Sequence, residues 1–233
     1  MKIMVFNTQH CLNYLEQKID FDVMAKAITS CDPDVVGLNE MRGKGEDPEY
    51  GPQMDILSEL TAMPVQYFAK AIDVKNHGPY GNGFLSKLPV ESLETIPVPD
   101  PEVRIPGRKW YETRCLLKAR LQNGVTVLVI HFGLNPDEQV NAVNTVLQHI
   151  TDEKCILMGD FNCTPENEVL APIRARMQDT ADAFSEPLLS FPSPTPNRKI
   201  DYIFVSRDAK IIAADIPAIV ASDHRPHTAE IEF

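Results

Sequence analysis

Cys155-Ile156-Leu157-Met158-Gly159-Asp160-Phe161-Asn162 runs four apolar residues straight into a Gly-Asp-Phe-Asn exit. A short, continuous apolar run closed by polar residues reads as a strand buried on both faces, ending where its side chains can meet solvent. Upstream, Asn135-Pro136-Asp137 opens a helix that runs to about His149, since Asn caps a first turn and Pro suits the first helical position. Before it, Val125–Phe132 (VTVLVIHF) is a second strand, and the Gln122-Asn123-Gly124 turn joins it to Leu116–Leu121 as a hairpin. The unit is strand, helix, strand, and its two strands deliver His131 and Asp160 at their exits.

The first part of the chain repeats the unit. Lys2–Phe6 is a short apolar strand ending on Asn7. Phe21, Met24, Ala25, Ala27 and Ile28 recur at helical spacing over Phe21–Cys31, and Asp32-Pro33 stops the pattern. Val35-Val36-Gly37-Leu38 is the next buried strand, and it exits on Asn39-Glu40. Asn7 and Glu40 are 33 positions apart, His131 and Asp160 29. Open α/β sheets place their sites at such strand ends. Between the units lie a helix at Gln53–Ala62, a strand at Val65–Ile72, and a Gly-rich turn, Tyr80-Gly81-Asn82-Gly83, leading into Phe84-Leu85-Ser86. After them come a helix at Glu166–Met177 and strands at Lys199–Ser206, Lys210–Ile219 and His227–Phe233. The Pro-rich segments Pro97–Pro106 and Phe191–Asn197 read as surface loops, so residues 1–233 are expected to form one domain.

Composition narrows the class. The 233 residues are 43% hydrophobic and 24% charged, ordinary values that disfavour disordered, fibrous and membrane proteins. Against 33 acidic residues stand 22 basic ones, for a net charge of −11. So acidic a surface repels polyanions, which disfavours tight binding of long duplex nucleic acid. The five cysteines, Cys11, Cys31, Cys115, Cys155 and Cys163, are odd in number and contain no CxxC. They read as buried free thiols in a reducing compartment. No apolar run has the length of a membrane span, and MKIMVFN lacks the features of a cleaved leader. A cytoplasmic protein is expected.

In an extended segment Asp160 and Asn162 share a face while Phe161 turns to the core. That places an acceptor able to polarise water beside an amide able to orient it, although a tetrapeptide alone reads equally as a polar turn. Ser222-Asp223-His224-Arg225-Pro226 displays a carboxylate and an imidazole together on a stiff loop. Asn7, Glu40, Asn82, His131, Asp160, Asn162, Asp201, Asp223 and His224 all fall at strand ends or flanking turns. Converging carboxylates without partners are costly and imply a cation between them. Oxygen donors, with no thiolate pair and no HExxH, suit Mg²⁺ or Mn²⁺ better than Zn²⁺.

VFNTQH around Asn7, VVGLNE at Glu40, Asn82-Gly83-Phe84-Leu85-Ser86, VIHF at His131, GDFN at 159–162, KIDYIFVS at 199–206 and SDHRPH at 222–227 occur in one order. The chain thereby resembles the endonuclease/exonuclease/phosphatase superfamily, which includes DNase I-like nucleases, abasic-site endonucleases, sphingomyelinases and inositol-polyphosphate phosphatases. The resemblance implies an α/β fold, a four-layer α-β-β-α sandwich of two mixed sheets flanked by helices. It also implies roles. Glu40 would be the principal Mg²⁺ or Mn²⁺ ligand, with Asn7 beside it and Asp223 also near a metal. Asp160 would activate the attacking water, and Asn162 would hold that water and a phosphoryl oxygen. His224 would donate to the phosphoryl group, oriented by Asp201, and His131 would bind another phosphoryl oxygen or assist the leaving group. Arg114 resembles an arginine near the phosphate in some members and reads as well as a strand-edge charge. Asn82 and Asn135 are further substrate-binding candidates, the second equally explained as a helix cap. His10, His77 and His149 read as ordinary surface or helix histidines.

The expected function is that of a metal-dependent hydrolase of phosphoric esters, a phosphodiesterase acting on a small phosphoester, nucleotide or lipid head group. A DNA-repair nuclease and a catalytically silent phospholigand-binding module are the alternatives.

Overall fold

In strand β1 (Lys2–Asn7), Ile3 and Val5 face one way and Met4 and Phe6 the other, and all four are fully buried. A period of two thus lets one strand feed two apolar layers. A small ribbon, β2 (Leu12–Asn13) and β3 (Lys18–Ile19), leads into helix α1 (Phe21–Cys31). Asp20 caps α1 by accepting from the Val23 amide at 3.1 Å, and the helix stops on Asp32, left-handed at φ 46°, ahead of Pro33. Strand β4 (Val35–Arg42) returns parallel to β1, with Asn7 opposite Asn39. The structure, a computed structural model, describes residues 1–45 and 47–233.

Helix α2 (Gln53–Thr61) precedes the long antiparallel pair β5 (Val65–Val74) and β6 (Gly78–Ser86). The expected turn at Tyr80–Gly83 is instead the interior of β6. Its glycines serve close packing: a Cβ on Gly81 would stand 2.0 Å from the Ala69 carbonyl oxygen. Glycine-rich sequence inside a strand marks such an approach as readily as a turn. Next come β7 (Val90–Pro97), β8 (Cys115–Leu121), β9 (Thr126–His131), α3 (Pro136–His149) and β10 (Cys155–Asp160).

The helix expected over Glu166–Met177 is shorter, because Met177 already pairs with Ser206. A 3₁₀ turn at Glu168–Leu170 leads into α4 (Ala171–Arg176), then β11 (Met177–Asp179). Strand β12 (Asp201–Ser206) follows, and β13 (Lys210–Asp215) ends before Pro217 rather than at Ile219. The last strand is β14 (His227–Glu232).

The strands form two six-stranded mixed sheets, ordered β13-β14-β1-β4-β6-β5 and β11-β12-β10-β9-β8-β7. Between them lies one core, with Ile3, Val5 and Phe84 from the first sheet against Leu117, Val129, Met158 and Ile203 from the second. Outside the first sheet, Met4, Phe6, Val36 and Leu38 pack on Met24 and Ile28 of α1 and Leu57 of α2. Outside the second, Leu128, Ile130 and Leu157 pack on Ala142, Val143 and Val146 of α3. Helix, sheet, sheet, helix is the resulting order of layers, as the resemblance implied. Each buried aliphatic side chain contributes about 1.5–3 kcal/mol, so the doubly buried central strands fix the register from which the polar exits are measured. All five cysteines are buried and unbridged. Among the described residues no helix is long and apolar enough to cross a membrane.

Candidate active site

Parallel pairing brings the exits of β1 and β4, and those of β9 and β10, to the same edge of the sandwich. In the second sheet, register does more: His131 of β9, Asp160 of β10 and Asp201 of β12 stand directly opposite one another in a single row. The strand ends at Asp160, so Asn162 does not share its face through strand alternation as expected. Asn162 instead turns back at φ 49° while its backbone N–H donates to Asp160 Oδ1 at 2.9 Å. Phe161 between them is fully buried against Phe132, Tyr202 and Phe204. Gly159 permits the row, because a Cβ there would lie 1.8 Å from the Ile130 carbonyl oxygen.

His224 sits between two carboxylates. Its Nδ1 donates to Asp201 Oδ2 at 2.9 Å, and its Nε2 lies 3.6 Å from Asp160 Oδ2. Burial alone would strip its proton, but Asp201 and Asp160 outweigh burial and raise the imidazole to about 10. Burial pushes the Asp160 carboxyl up to about 7 against the pull of His224, and Asp201 adds to the rise. His131 is driven the other way, held well below its ordinary value by burial, then by Arg114 and His224. Arg114 Nη1 can only donate, so His131 Nδ1 accepts from it at 3.0 Å and the ring proton belongs on Nε2. That N–H faces Asp160 Oδ2 at 3.5 Å, while the neighbouring Asn162 Nδ2 donates to the Phe132 carbonyl at 3.0 Å and not to the ring. One neutral and one charged imidazole therefore flank one carboxylate.

Asn7 links the two sheets' contributions. Its Nδ2 donates to Asp160 Oδ2 at 3.0 Å and to Glu40 Oε1 at 3.1 Å, while its Oδ1 accepts from the Gln9 amide. It thus bridges the Asp160 and Glu40 carboxylates, the place beside Glu40 that the resemblance implies, with its carbonyl oxygen turned to the Gln9 backbone N–H. Glu40 occupies a bulge in the β4–β6 pairing, left-handed at φ 61°, a strained conformation of the kind found at functional positions. Burial raises its carboxyl, the Asn7 bond opposes this, and Asp223 across the cleft raises it again. No Lys or Arg among the described residues forms an ion pair with Glu40 or Asp223. Glu40 and Asp223 thus face one cleft with no cation of the described residues paired to either, and a pair of carboxylates so placed can take a hard divalent cation between them. Asp160, Asp201 and His224 also offer donor atoms within 4.8 Å of one another, yet there the His224 imidazolium already supplies the cation.

The cleft has a volume of about 400 Å³, and Glu40, Asp223, His131, Asp160, Asn162 and His224 all line it. Arg114 lines it too, its guanidinium held by Glu112 Oε1 at 2.6 Å and by the Tyr80 hydroxyl. Asn82 and Asn135 do not reach it. Asn82 is buried, accepting from Asn39 and donating to the Cys115 carbonyl. Asn135 forms a capping box with Glu138 and clamps the Lys109 backbone at both N–H and C=O. Its nearest effect on the cleft is to hold the Lys109-Trp110 rim, where Trp110 is 76% exposed.

Two contributors escape a reading of the sequence alone. Asn39 accepts from the Asp160 backbone N–H at 2.9 Å and donates to Asn82 Oδ1 and the Ile130 carbonyl, tying the sheets together under the cleft. Its one signal is its place beside Glu40 at a strand exit. His10, expected to be an ordinary surface histidine, stands with Nδ1 3.9 Å from Glu40 Oε2. Burial, then Arg42 and His77, lowers it to about 4, so its ring is neutral.

The profile of the Endonuclease/Exonuclease/phosphatase family matches residues 4–224. The chain belongs to this family. Its members hydrolyse phosphoric ester bonds, and the protein is an enzyme of that class. Among curated proteins no sequence matches it. Solved structures with the same fold include an endonuclease/exonuclease/phosphatase from Beutenbergia cavernae, 21% identical, with a TM-score of 0.80 over 100% of this chain and 71% of that one. The mannosyl-6-phosphatase Bt3783 of Bacteroides thetaiotaomicron is 15% identical, with a TM-score of 0.75 over 100% of both chains. The human Nocturnin catalytic domain with bound sulfate is 18% identical, with a TM-score of 0.68 over 100% of this chain and 93% of that one. At such identities the likeness shows the fold.

Proposed function

We propose that the chain is a single catalytic domain, a Mg²⁺- or Mn²⁺-dependent phosphodiesterase for a small phosphoester. The observation that carries this reading is the row His131–Asp160–Asp201 with His224 held between its two carboxylates. Asp160, with its affinity for protons raised towards neutrality, accepts the proton of the attacking water. The Asn162 amide orients that water. His224, protonated and aimed by Asp201, donates to a phosphoryl oxygen as negative charge develops in the transition state. His131, neutral, presents its Nε2–H to another phosphoryl oxygen, and Arg114 fixes its tautomer from behind. Glu40 and Asp223 hold the divalent cation, which supplies Lewis-acid stabilisation of the phosphoryl charge when bound. The protein's part is positioning and electrostatics, as phosphoryl transfer requires.

The small cleft and the net charge of −11 support a compact substrate over a long duplex. Hydrolysis of bis(4-nitrophenyl) phosphate is expected with Mg²⁺ or Mn²⁺ and should stop on addition of chelator. The absence of metal-dependent release at high enzyme concentration would remove the proposal. Hydrolysis confined to the monoester 4-nitrophenyl phosphate would turn it towards a phosphatase. Turnover of duplex DNA that falls steeply with added salt would turn it towards a nuclease.

A further inference from the structure

Gln9, His10 and Cys11 take three successive left-handed conformations, at φ 46°, 48° and 64°. None is glycine, and such backbone is costly for ordinary residues unless the surroundings over-determine it. They do so here. Gln53, buried at the start of α2, donates to the His10 carbonyl at 2.7 Å and accepts from the Arg42 backbone N–H at 2.8 Å. The imidazole stands edge-on to Tyr50, centroids 5.4 Å apart, and Tyr50 in turn lies under the Arg42 guanidinium. The whole arrangement turns one ring nitrogen towards Glu40. His10 Nδ1 is buried, finds no hydrogen-bond partner, and lies 3.9 Å from Glu40 Oε2. A buried acceptor left unmade costs about 1–3 kcal/mol, so the strain of the turn and the orphaned nitrogen need a common reason.

We infer that His10 is a ligand of the cation held by Glu40, adding an imidazole nitrogen to an otherwise all-oxygen site. This rests on the metal reading of Glu40 and Asp223 proposed above. Two ligand atoms on one ion stand about 3.0–4.2 Å apart when bond lengths are near 2.1 Å, and 3.9 Å falls within that span. A nitrogen donor matters for selectivity. Mg²⁺ keeps to oxygen ligands, whereas transition-metal ions bind a nitrogen-containing site with an affinity that rises from Mn²⁺ through Fe²⁺ to Ni²⁺ and Cu²⁺.

The test is Mn²⁺ binding, followed by electron paramagnetic resonance, in the intact protein and in His10→Asn and Glu40→Gln. Asn is chosen because it tolerates the left-handed backbone. The intact protein should bind Mn²⁺ and show nitrogen coupling in the spin-echo envelope. His10→Asn should lose a nitrogen coupling and weaken Mn²⁺ about tenfold or more, while Mg²⁺ binding, read by competition, changes less. A folded His10→Asn with unchanged nitrogen coupling and Mn²⁺ affinity, alongside a Glu40→Gln that loses Mn²⁺, would overturn the inference and spare the metal reading. An intact protein that binds no Mn²⁺ would overturn both. Should His10→Asn fail to fold, nitrogen coupling in the intact protein decides: His10→Gly takes its place as the variant that must lose it, and no nitrogen coupling at all overturns the assignment.

Discussion

His224 Nδ1 donates to Asp201 Oδ2 at 2.9 Å, and the Asp201 backbone stands directly opposite Asp160 in the neighbouring strand. The carboxylate that orients the imidazole is therefore fixed by β-sheet register to the carboxylate that the other ring nitrogen faces at 3.6 Å.

Asp201→Asn should break this relationship without disturbing the sheet. An amide at the same place can no longer stabilise the imidazolium, so kcat should fall roughly 10²- to 10⁴-fold with KM little changed. The imidazole of His224 should lose the larger part of its raised proton affinity, keeping what Asp160 supplies. Nitrogen chemical shifts of His224 across pH 6–10 check this, and a variant that keeps both turnover and titration would exclude the assigned role.

Asp160→Ala should lower kcat by about three orders of magnitude or more. Its effect on folding should be modest, because removal of a carboxyl disfavoured by burial and by Asp201 offsets the loss of an acceptor for Asn7 Nδ2 and the Asn162 backbone N–H. Steady-state kinetics and thermal melts on the same preparation separate the two. Loss of turnover with a melting temperature little changed is the expected pair of results.

Glu40→Gln should be more stable than the parent in the presence of chelator. Glutamine keeps an acceptor for Asn7 and removes the charge that burial and Asp223 disfavour. A rise of about 2–4 °C in melting temperature corresponds to each kcal/mol gained in a chain of this size. The same variant should need far more Mg²⁺ or Mn²⁺ for half-maximal activity. A melting temperature that falls in chelator would show that Glu40 is a structural partner and not a destabilised ligand.

Much of this site is legible in the sequence because strand exits are legible. Apolar runs such as VTVLVI and CILM are too short for helices and the first is rich in β-branched residues, so they read as doubly buried strands, and the polar residues at the end of each run surface beside those of its parallel neighbour. So Glu40, His131 and Asp160 can be placed from sequence. Asn82 is misplaced because Gly81-Asn82-Gly83 has turn composition, and only three-dimensional contact shows that the glycines accommodate Ala69 and Met54. Asn135 reads both ways, and its capping role is the one its geometry fills. His10 is missed for a different reason. Its approach to Glu40 depends on three left-handed residues and on Gln53, 43 positions away, and neither period nor composition encodes such a turn.

Phe161→Ala should couple stability to catalysis. The ring lies 4.3 Å from Phe132, 5.1 Å from Tyr202 and 5.7 Å from Phe204, centroid to centroid, and its removal leaves a cavity beneath the cleft. A cost of about 3–5 kcal/mol is expected. Because Asp160 and Asn162 flank it, kcat should fall as well, even below the melting transition. Phe161→Leu should recover part of both, because it refills much of the cavity without restoring the ring contacts. Urea titrations and kinetics on the pair provide the measurement.

His227 gives the pH dependence of stability its sign. It is fully buried and held well below its ordinary value, by burial first and Lys199 second. The unfolded chain takes up a proton at this residue as pH drops through about 6.5, whereas the folded protein does not until a much lower pH. Below 6.5 the unfolded state therefore binds more protons, and stability must fall as pH falls. The contribution of one such histidine approaches about 1.4 kcal/mol per pH unit once pH is well below 6.5 and above the folded value. His131 acts in the same direction. His227→Gln removes the titrating group, so between pH 7.5 and 5 its unfolding free energy should decline less steeply than that of the parent, by a difference that grows towards one proton below about pH 5.5. The two slopes, taken from urea unfolding at each pH, should converge above pH 7. Parallel slopes over the whole range would mean that His227 is protonated in the folded protein, against its burial beside Lys199.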